Sequence, residues 1–235
     1  MKKLSLFLIV ALTTTASFAK DTKGKLLLSD DFNRTEKDDS KEQLGGKWGT
    51  NSRSRAKGVK QVDLKDGAMH VNRADVADHG VSIHHDLSFK DVTIQLRFKL
   101  GAKDDLGINI ADMKEKGVHA GHICMAKIRT HNVEIFDLKY GNMKLEHRTA
   151  RKAGKETPAM KKATADKNKR FPSKISANEW HDLEVRIDGD LMTVSIDGKK
   201  VGSFESEGIG HPTKSRLRLA IAKSAVIDDI NVWSR

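Results

Sequence analysis

Short segments in which apolar and polar residues alternate cover most of the chain after residue 25, and turn residues separate them. This period of two is typical of strands with one buried face, and many short strands predict a sandwich or barrel. The clearest case is WHDLEVRIDGDLMTVSIDGKKVGSF, residues 180–204, where Gly189 and Asp197–Gly198 mark tight turns. Asp66–Gly67 marks another hairpin. Further strands are predicted at 26–32, 80–89, 91–100, 106–112, 121–130, 133–139, 216–222 and 225–233.

The segment from about 144 to 172 departs from this pattern. Between Lys144 and Arg170, ten Lys or Arg residues stand against three acids, a net charge of +7 out of +11 for the whole chain. Thr157–Pro158 predicts the start of a helix, because threonine caps helices and proline suits the first helical position. We expect a solvated basic helical insertion that ends before Phe171 and that can bind an anionic glycan. A solvated charged face without a ligand is the alternative.

The first 19 residues predict a secretory signal peptide: two lysines, the apolar run Leu4–Leu12 and the small-residue cleavage site Ser17–Ala19. The apolar run is too short to span a membrane. We expect a periplasmic or secreted protein in which residues 20–235 form a single domain, with no transmembrane segment after signal removal. Cys124 is the only cysteine, so no disulfide within the chain can stabilise it. Nucleic acid is not expected as a partner, because the positive charge is confined to one segment.

Four stretches carry a family likeness, namely LLLSDDFN (26–33), WHDLEVRI (180–187), SIDGKKVGSF (195–204) and AVIDDINVW (225–233). Together they resemble concanavalin A-like jelly-roll domains and, more narrowly, the bacterial 3-keto-disaccharide hydrolase family, often labelled family-16-glycoside-hydrolase-like. The likeness covers about residues 26–233. It implies two curved antiparallel sheets with a sugar ligand on the concave face. Such folds host enzymes, lectins and adhesion modules alike, so the likeness implies fold more strongly than activity.

The stretch VEIFDLK, residues 133–139, resembles the active-site strand of retaining glucanases with this fold, which carries two glutamates. Glu134 stands where the first would be, but Lys139 occupies the place of the second. Glu134 and Asp137 are three residues apart, so they face opposite sides of a regular strand. The two-carboxylate retaining mechanism is therefore not expected.

A histidine and an aspartate form the candidate catalytic pair instead. A two-residue loop within 130–132 would place His122 and Asp137 on one face of a hairpin. A carboxylate beside a histidine fixes its tautomer and raises its basicity, which suits a general base. The resemblance implies a use for such a base, since a ketone at C3 of a sugar acidifies the C2 hydrogen and allows the C1 group to be eliminated. We expect His122 as base and Asp137 as its orienting residue; a structural hydrogen bond, or a metal site with His119, are the alternatives.

Five residues are expected to bind substrate: Trp48, His119, Glu134, Lys139 and Tyr140. The tryptophan and the tyrosine offer rings on which sugars stack. Trp180 and Trp233, at strand ends, are expected in the core.

Two acidic doublets suggest a metal. The first and last strands of such jelly rolls often pair, which would bring Asp30 and Asp31 close to Asp228 and Asp229. Calcium binds several such oxygens, so a structural calcium is possible. No other cofactor is expected.

The sequence thus predicts an exported carbohydrate-active protein, a hydrolase of 3-keto-disaccharides or related glycosides. A non-catalytic, lectin-like glycan-binding module is the first alternative. An interaction protein that binds anionic polymers through its basic segment is the second.

Overall fold

The computed structural model describes residues 23–235, so the predicted signal peptide lies outside the described residues. The described chain is mostly strand. Its strands are β1 (Lys25–Asp30), β2 (Gly49–Thr50), β3 (Val62–Lys65), β4 (Ala68–Asn72), β5 (Val81–Phe89), β6 (Val92–Lys99), β7 (Asp105–Ala111), β8 (His122–Arg129), β9 (Asn132–Asp137), β10 (Asn168–Pro172), β11 (His181–Asp188), β12 (Leu191–Ile196), β13 (Lys199–Glu205), β14 (Lys214–Ile221) and β15 (Ser224–Ser234). The helices are α1 (Ser52–Arg55), α2 (Leu145–Lys152) and α3 (Pro158–Thr164), with a 3-10 turn at His119–Gly121.

These strands form two antiparallel sheets. The seven-stranded sheet has the order β10-β9-β8-β7-β14-β5-β2, and the eight-stranded sheet has the order β13-β12-β11-β6-β15-β4-β3, with β1 paired to β15. Alternate residues of each strand point into the space between the sheets, as Ile94, Leu96 and Phe98 of β6 do. The fold is a jelly-roll sandwich, which confirms the predicted class.

The predicted hairpin turns are present and have the backbone that their residues favour. Asp66 and Gly67 have φ values of 53° and 71°, and Asp197 and Gly198 have 51° and 73°. Two successive residues with positive φ define the type I′ turn, whose twist matches that of the strands it joins. The four residues therefore set the register of β3–β4 and β12–β13.

The basic insertion differs in detail from the expected single helix. The predicted start of α3 is confirmed, because the Thr157 hydroxyl accepts a hydrogen bond from the Met160 N–H at 3.2 Å. The helix ends at Thr164, however, and the following residues form β10, whose backbone pairs with the edge strand β9. A second helix, α2, precedes α3. No helix within residues 23–235 is long and apolar enough to cross a membrane.

Candidate functional site

Asp137 faces the core side of the seven-stranded sheet. The β8–β9 hairpin has the predicted two-residue loop, since Arg129 pairs with Asn132 across it. Asp137 pairs with Cys124, which belongs to the hydrophobic core. Directly opposite residues share a face, so Asp137 points the same way and is only 1% exposed.

A β-bulge turns His122 to the other face. Ile110 of β7 pairs with Cys124, whereas the next residue, Ala111, pairs with His122 rather than Ile123. Neighbouring residues of β7 point to opposite faces, so their partners do as well. The predicted His122–Asp137 pair is therefore wrong, because one extra residue in β8 changes the alternation between the two positions.

Asp137 has a structural role at the end of β9. Its Oδ2 accepts hydrogen bonds from the Ser206 hydroxyl at 2.6 Å and from the Gly208 N–H at 3.0 Å. Its Oδ1 accepts one from the Tyr140 N–H at 3.0 Å. A Cβ atom at position 208 would collide with this carboxylate, so the glycine permits the close approach. Asp137 thus joins the β9 end to the segment after β13.

His122 instead lies in a cleft of about 380 Å³ on the outer face of the seven-stranded sheet. The floor consists of small or polar residues of the central strands, including Gly107, Asn109 and Ala220. A Cβ at Gly107 would come within 3.1 Å of the Met125 sulfur, so glycine keeps the floor low. The remaining cleft walls include Asn51, Arg55, His79, Ser82, Asp105, His119, Lys127 and Arg218.

Asn109 orients the imidazole of His122. With the amide oriented as here, its Oδ1 lies 2.9 Å from Nδ1 and can only accept, and this shorter contact assigns the hydrogen to Nδ1. The Arg218 guanidinium, 3.3 Å from the same nitrogen, can only donate, so its approach to Nδ1 is a contact between charge and ring and not a second hydrogen bond. Nε2 then has the lone pair and no hydrogen-bond partner among residues 23–235. Burial, followed by the charge of Arg218, lowers the pKa of His122 to about 3. The ring is therefore neutral at physiological pH and can accept a proton at Nε2.

Arg218 is the unusual charge of this cleft. It is 8% exposed, and no carboxylate among residues 23–235 pairs with it. Its guanidinium contacts the Ala120 carbonyl at 3.0 Å, the Met113 sulfur at 3.2 Å and His122 Nδ1 at 3.3 Å. Burial lowers its pKa to about 10, so it stays charged at neutral pH. Buried charges are normally paired, so this cation is available to a negative group in the cleft.

The other cleft cations are partly matched by acids. Lys127 pairs with Asp105 at 2.7 Å, and Arg55 pairs with Asp78 at 3.5 Å. His119, a predicted binding residue, lies in the cleft wall. Burial and then the charges of Arg148 and Lys152, both on α2, lower its pKa. The basic insertion thus adds positive potential next to the cleft.

The loop between β7 and β8 holds His119 in the cleft wall, places Met113 against Arg218 and is anchored by Asp112. This carboxylate accepts hydrogen bonds from Thr213 at 2.6 Å, from the Lys114 N–H at 3.0 Å and from Ser215 at 3.2 Å. His211 Nε2 lies 3.1 Å from it, within the same network. Burial acts to raise the pKa of Asp112, but the hydrogen bonds outweigh it and lower the pKa to about 2.

The structure places the other predicted binding residues away from the cleft. Trp48 is 8% exposed, donates to Asp30 at 2.8 Å and packs against Phe32, so its predicted role as a sugar platform is wrong. Lys139 contacts His211 Nδ1 at 3.0 Å and lies over the ring of Tyr140. Neither Lys139 nor Tyr140 lines the cleft.

Glu134 lies on the outer face of the same sheet but outside the cleft. It is 6% exposed and accepts a hydrogen bond from Asn168 at 2.8 Å. The guanidinium groups of Arg129 and Arg170 each lie 3.4 Å from Oε2 of Glu134. These partners occupy the carboxylate and connect β9 to β10.

The four predicted calcium ligands come only partly together. Burial raises the pKa of Asp228, and the charges of Asp229 and Asp31 add to this, so Asp31 lies near the second doublet. β1 and β15 do pair, as expected. Asp30, however, points inward and is held by Arg34 at 2.6 Å, whereas Asp228 and Asp229 lie near Arg97 at 3.5 Å. Within residues 23–235, no group of three or more His, Cys, Asp or Glu side chains is placed to hold a metal ion.

Sequence reasoning missed Asn109 and Arg218. A signal for the first was present, since Asn109 is the polar residue in the middle of LGINIA, a strand that is otherwise apolar after its first residue. Arg216 and Arg218 alternate in RLRLAIA, which indicates one polar face. Only the structure shows that Arg216 pairs with Asp86 while Arg218 pairs with no carboxylate in the described part of the chain.

Comparisons with known proteins identify the family and agree with the jelly-roll fold. Residues 30–227 match the family model described as 3-keto-alpha-glucoside-1,2-lyase-like domain. A comparison of the sequence with curated proteins found no match. The family is carbohydrate-active, and its structural neighbours include both glycoside hydrolases and carbohydrate-binding modules.

Three solved structures illustrate the likeness. SCLam, a non-specific endo-beta-1,3(4)-glucanase from family GH16, has a TM-score of 0.58 at 13% identity, over 90% of this chain and 91% of that chain. Laminarinase from Flavobacterium sp. UMI-01 has 0.57 at 14%, over 89% and 100%. Carbohydrate binding module CBM66 from Bacillus subtilis has 0.51 at 12%, over 80% and 96%. At such identities the likeness shows the fold.

Proposed function

The chain belongs to the 3-keto-alpha-glucoside-1,2-lyase-like domain family, and from this premise we propose that it cleaves 3-keto-glycosides by elimination in the cleft around His122. The observation that carries the proposal is a neutral imidazole set beside a buried guanidinium, where residues 23–235 supply neither a partner for His122 Nε2 nor a carboxylate for Arg218. This arrangement suits removal of a proton from carbon and stabilisation of the resulting negative charge.

The reaction balances without a carboxylate nucleophile. His122 Nε2 takes the C2 proton, which the C3 ketone makes acidic, and the electron pair forms an enolate. The enolate collapses to a C1–C2 double bond while the C1–O bond breaks, and the leaving oxygen takes a proton. Addition of water to C1 of this enone then gives the free 3-keto sugar.

Arg218 reconciles this role with the low pKa of His122. Burial, and after it the guanidinium of Arg218, opposes a proton on the imidazole. When the proton moves from C2, a negative enolate appears together with the imidazolium. The enolate offsets the positive charges of both residues, so the transition state is stabilised relative to the bound substrate.

The test is product release from 3-keto-disaccharides, beside the matching unoxidised sugars. We expect cleavage of the keto sugars alone, and loss of about 10²- to 10⁴-fold in the His122→Ala variant, as for removal of a general base. His131→Ala is the matched control, because His131 lies in the exposed turn of the same hairpin. Cleavage of unoxidised sugars, or full activity in His122→Ala, would contradict the proposal.

A second candidate is binding of an anionic glycan without catalysis. The unpaired Arg218 favours it, as do Arg148 and Lys152 next to the cleft. Sulfated or uronate oligosaccharides should then bind more tightly than neutral ones, with an affinity that falls as salt rises. Arg218→Gln should abolish the preference, and equal, salt-independent affinity for both sugar classes would exclude this candidate.

We also propose that the protein is exported and starts at Lys20 after signal removal. The support is the sequence of the first 19 residues. N-terminal sequencing of protein recovered from the periplasm or medium should begin at Lys20. Recovery of the chain only in the cytoplasm with Met1 retained would contradict it.

A further inference from the structure

The outer face of the eight-stranded sheet carries two tryptophans that the cleft does not use. Trp233 of β15 pairs with Thr93 at one end of β6, and Trp180 comes directly before β11, beside the other end of β6. Both were expected in the core, yet both are half-buried and lie on the solvent side. The cations above their rings come from the same outer face, namely Lys23 over Trp233, and Arg97 and Lys99 over Trp180.

A polar groove of about 640 Å³ runs over the middle of β6 on this face. The strand register places Trp233 beyond its Gln95 end and Trp180 beyond its Arg97 end. Residues 93–99 of β6 span roughly 20 Å.

Amides and carboxylates line the groove. Gln95 of β6 pairs with Asn231 of β15, and Asp182 and Glu184 lie on β11, the neighbour of β6 on its other side. Such groups bind vicinal sugar hydroxyls, and indoles stack on the apolar faces of sugar rings.

We propose that this groove is a second saccharide site, which takes a linear neutral oligosaccharide whose ends stack on Trp180 and Trp233. Its position on the opposite sheet makes it independent of the cleft and of the reaction proposed there. Three carboxylates, Asp182, Glu184 and Asp229, line the groove with one cation, Arg97, so its net charge is negative, in contrast to the cationic cleft. A neutral chain therefore fits it better than a polyanion.

Three cation–π contacts must yield for a sugar to stack. Lys23 Nζ lies 4.4 Å from the centre of the Trp233 ring, and Arg97 and Lys99 lie 4.8 Å and 5.0 Å from that of Trp180. Lys23 also donates to the Gln95 side chain at 2.8 Å. All three side chains are long, and such contacts contribute little at exposed sites, so they turn aside readily. Removal of the Lys23 side chain would free the Trp233 ring, so the affinity for sugar should rise or stay the same.

The test is binding of neutral β-1,3- and β-1,4-linked gluco-oligosaccharides, tetra- to hexasaccharides, measured by calorimetry and tryptophan fluorescence. We expect Trp233→Ala and Trp180→Ala each to weaken binding by about tenfold, which corresponds to about 1.4 kcal/mol. Trp233→Phe should retain most of the affinity, and Lys23→Ala should not weaken it. His122→Ala is the matched control and should bind as the wild type does, whether or not the cleft reaction occurs.

Three results would overturn the proposal. One is that no oligosaccharide of this panel binds the folded wild-type protein. Another is that binding is unchanged in both tryptophan-to-alanine variants. The third is that His122→Ala abolishes binding, which would place the sugar in the cleft instead. Unchanged circular dichroism of each variant shows that a loss reflects the ring and not the fold.

Discussion

The character of the cleft depends on how two residues constrain His122. Asn109 determines which ring nitrogen carries the hydrogen, and Arg218 disfavours a second proton. A carboxylate in place of Arg218 would make His122 a stronger base before substrate binds. The observed arrangement instead favours proton transfer only when a negative charge forms next to the guanidinium.

The Arg218→Gln variant tests this electrostatic coupling. Removing the guanidinium should raise the pKa of His122 from about 3, but burial should keep it below the ordinary value of 6.5. Cleavage of keto sugars should slow nevertheless, because the enolate loses its stabilising cation. NMR titration of the imidazole measures the pKa, with Arg129→Gln on the same face as the control. An unchanged pKa would contradict the coupling.

Asp137 should matter for stability and not for chemistry. Asp137→Asn weakens the contacts to Ser206 and Gly208 in a buried position, so the free energy of unfolding should fall by about 1–3 kcal/mol. Activity per folded molecule should stay unchanged, as measured at a temperature where the variant is folded. Asp166→Asn, at a position 78% exposed in its side chain, is the control. A selective loss of turnover would restore the catalytic interpretation of Asp137.

At the scale of elements, hairpins were predictable and the bulge was not. Asp66–Gly67 and Asp197–Gly198 need positive φ, so their sequence specifies the turn. The extra residue in β8 has no such signal, because Ile123 and Cys124 are both apolar and both buried. A regular strand was the simplest interpretation, and it placed His122 on the wrong face.

The helical insertion was predictable only where a local signal exists. Thr157–Pro158 identifies the start of α3, since the threonine hydroxyl caps the helix and the fixed φ of proline suits the first helical position. α2 lacks a capping side chain and has a thin apolar face, so the local sequence does not predict it. β10 forms because the edge of β9 offers backbone partners, which is a tertiary effect.

The β7–β8 loop should respond to acid through Asp112. Its pKa in the folded protein is about 2, below the ordinary 3.8, so the ionised form contributes stability that is fully present above about pH 4. That contribution is lost as the pH falls from about 4 to about 2. Urea unfolding of wild type and Asp112→Asn should therefore differ by a constant amount above pH 4, and the difference should shrink below it. A difference that grows on acidification would contradict this sign.

At the scale of the whole molecule, the two outer faces of the sandwich differ in chemistry. The seven-stranded sheet presents a cationic cleft next to the basic insertion, and the eight-stranded sheet presents a groove of net negative charge with a tryptophan beyond each end. Two cations of the segment 144–170, Arg148 and Lys152, act on His119 of the cleft, so part of the net charge of +7 lies near it. Composition alone located that charge along the chain, but only the fold shows which site it flanks.

The central claim is that His122 removes the C2 proton of a 3-keto sugar. The most direct measurement uses a 3-keto-disaccharide with deuterium at C2 and follows the label during cleavage. We predict that deuterium is lost from C2 to solvent as the C1–O bond breaks, and that the labelled sugar is cleaved more slowly than the unlabelled one. The His122→Ala variant should neither release deuterium nor cleave the sugar. Cleavage that retains the deuterium at C2 would contradict the account.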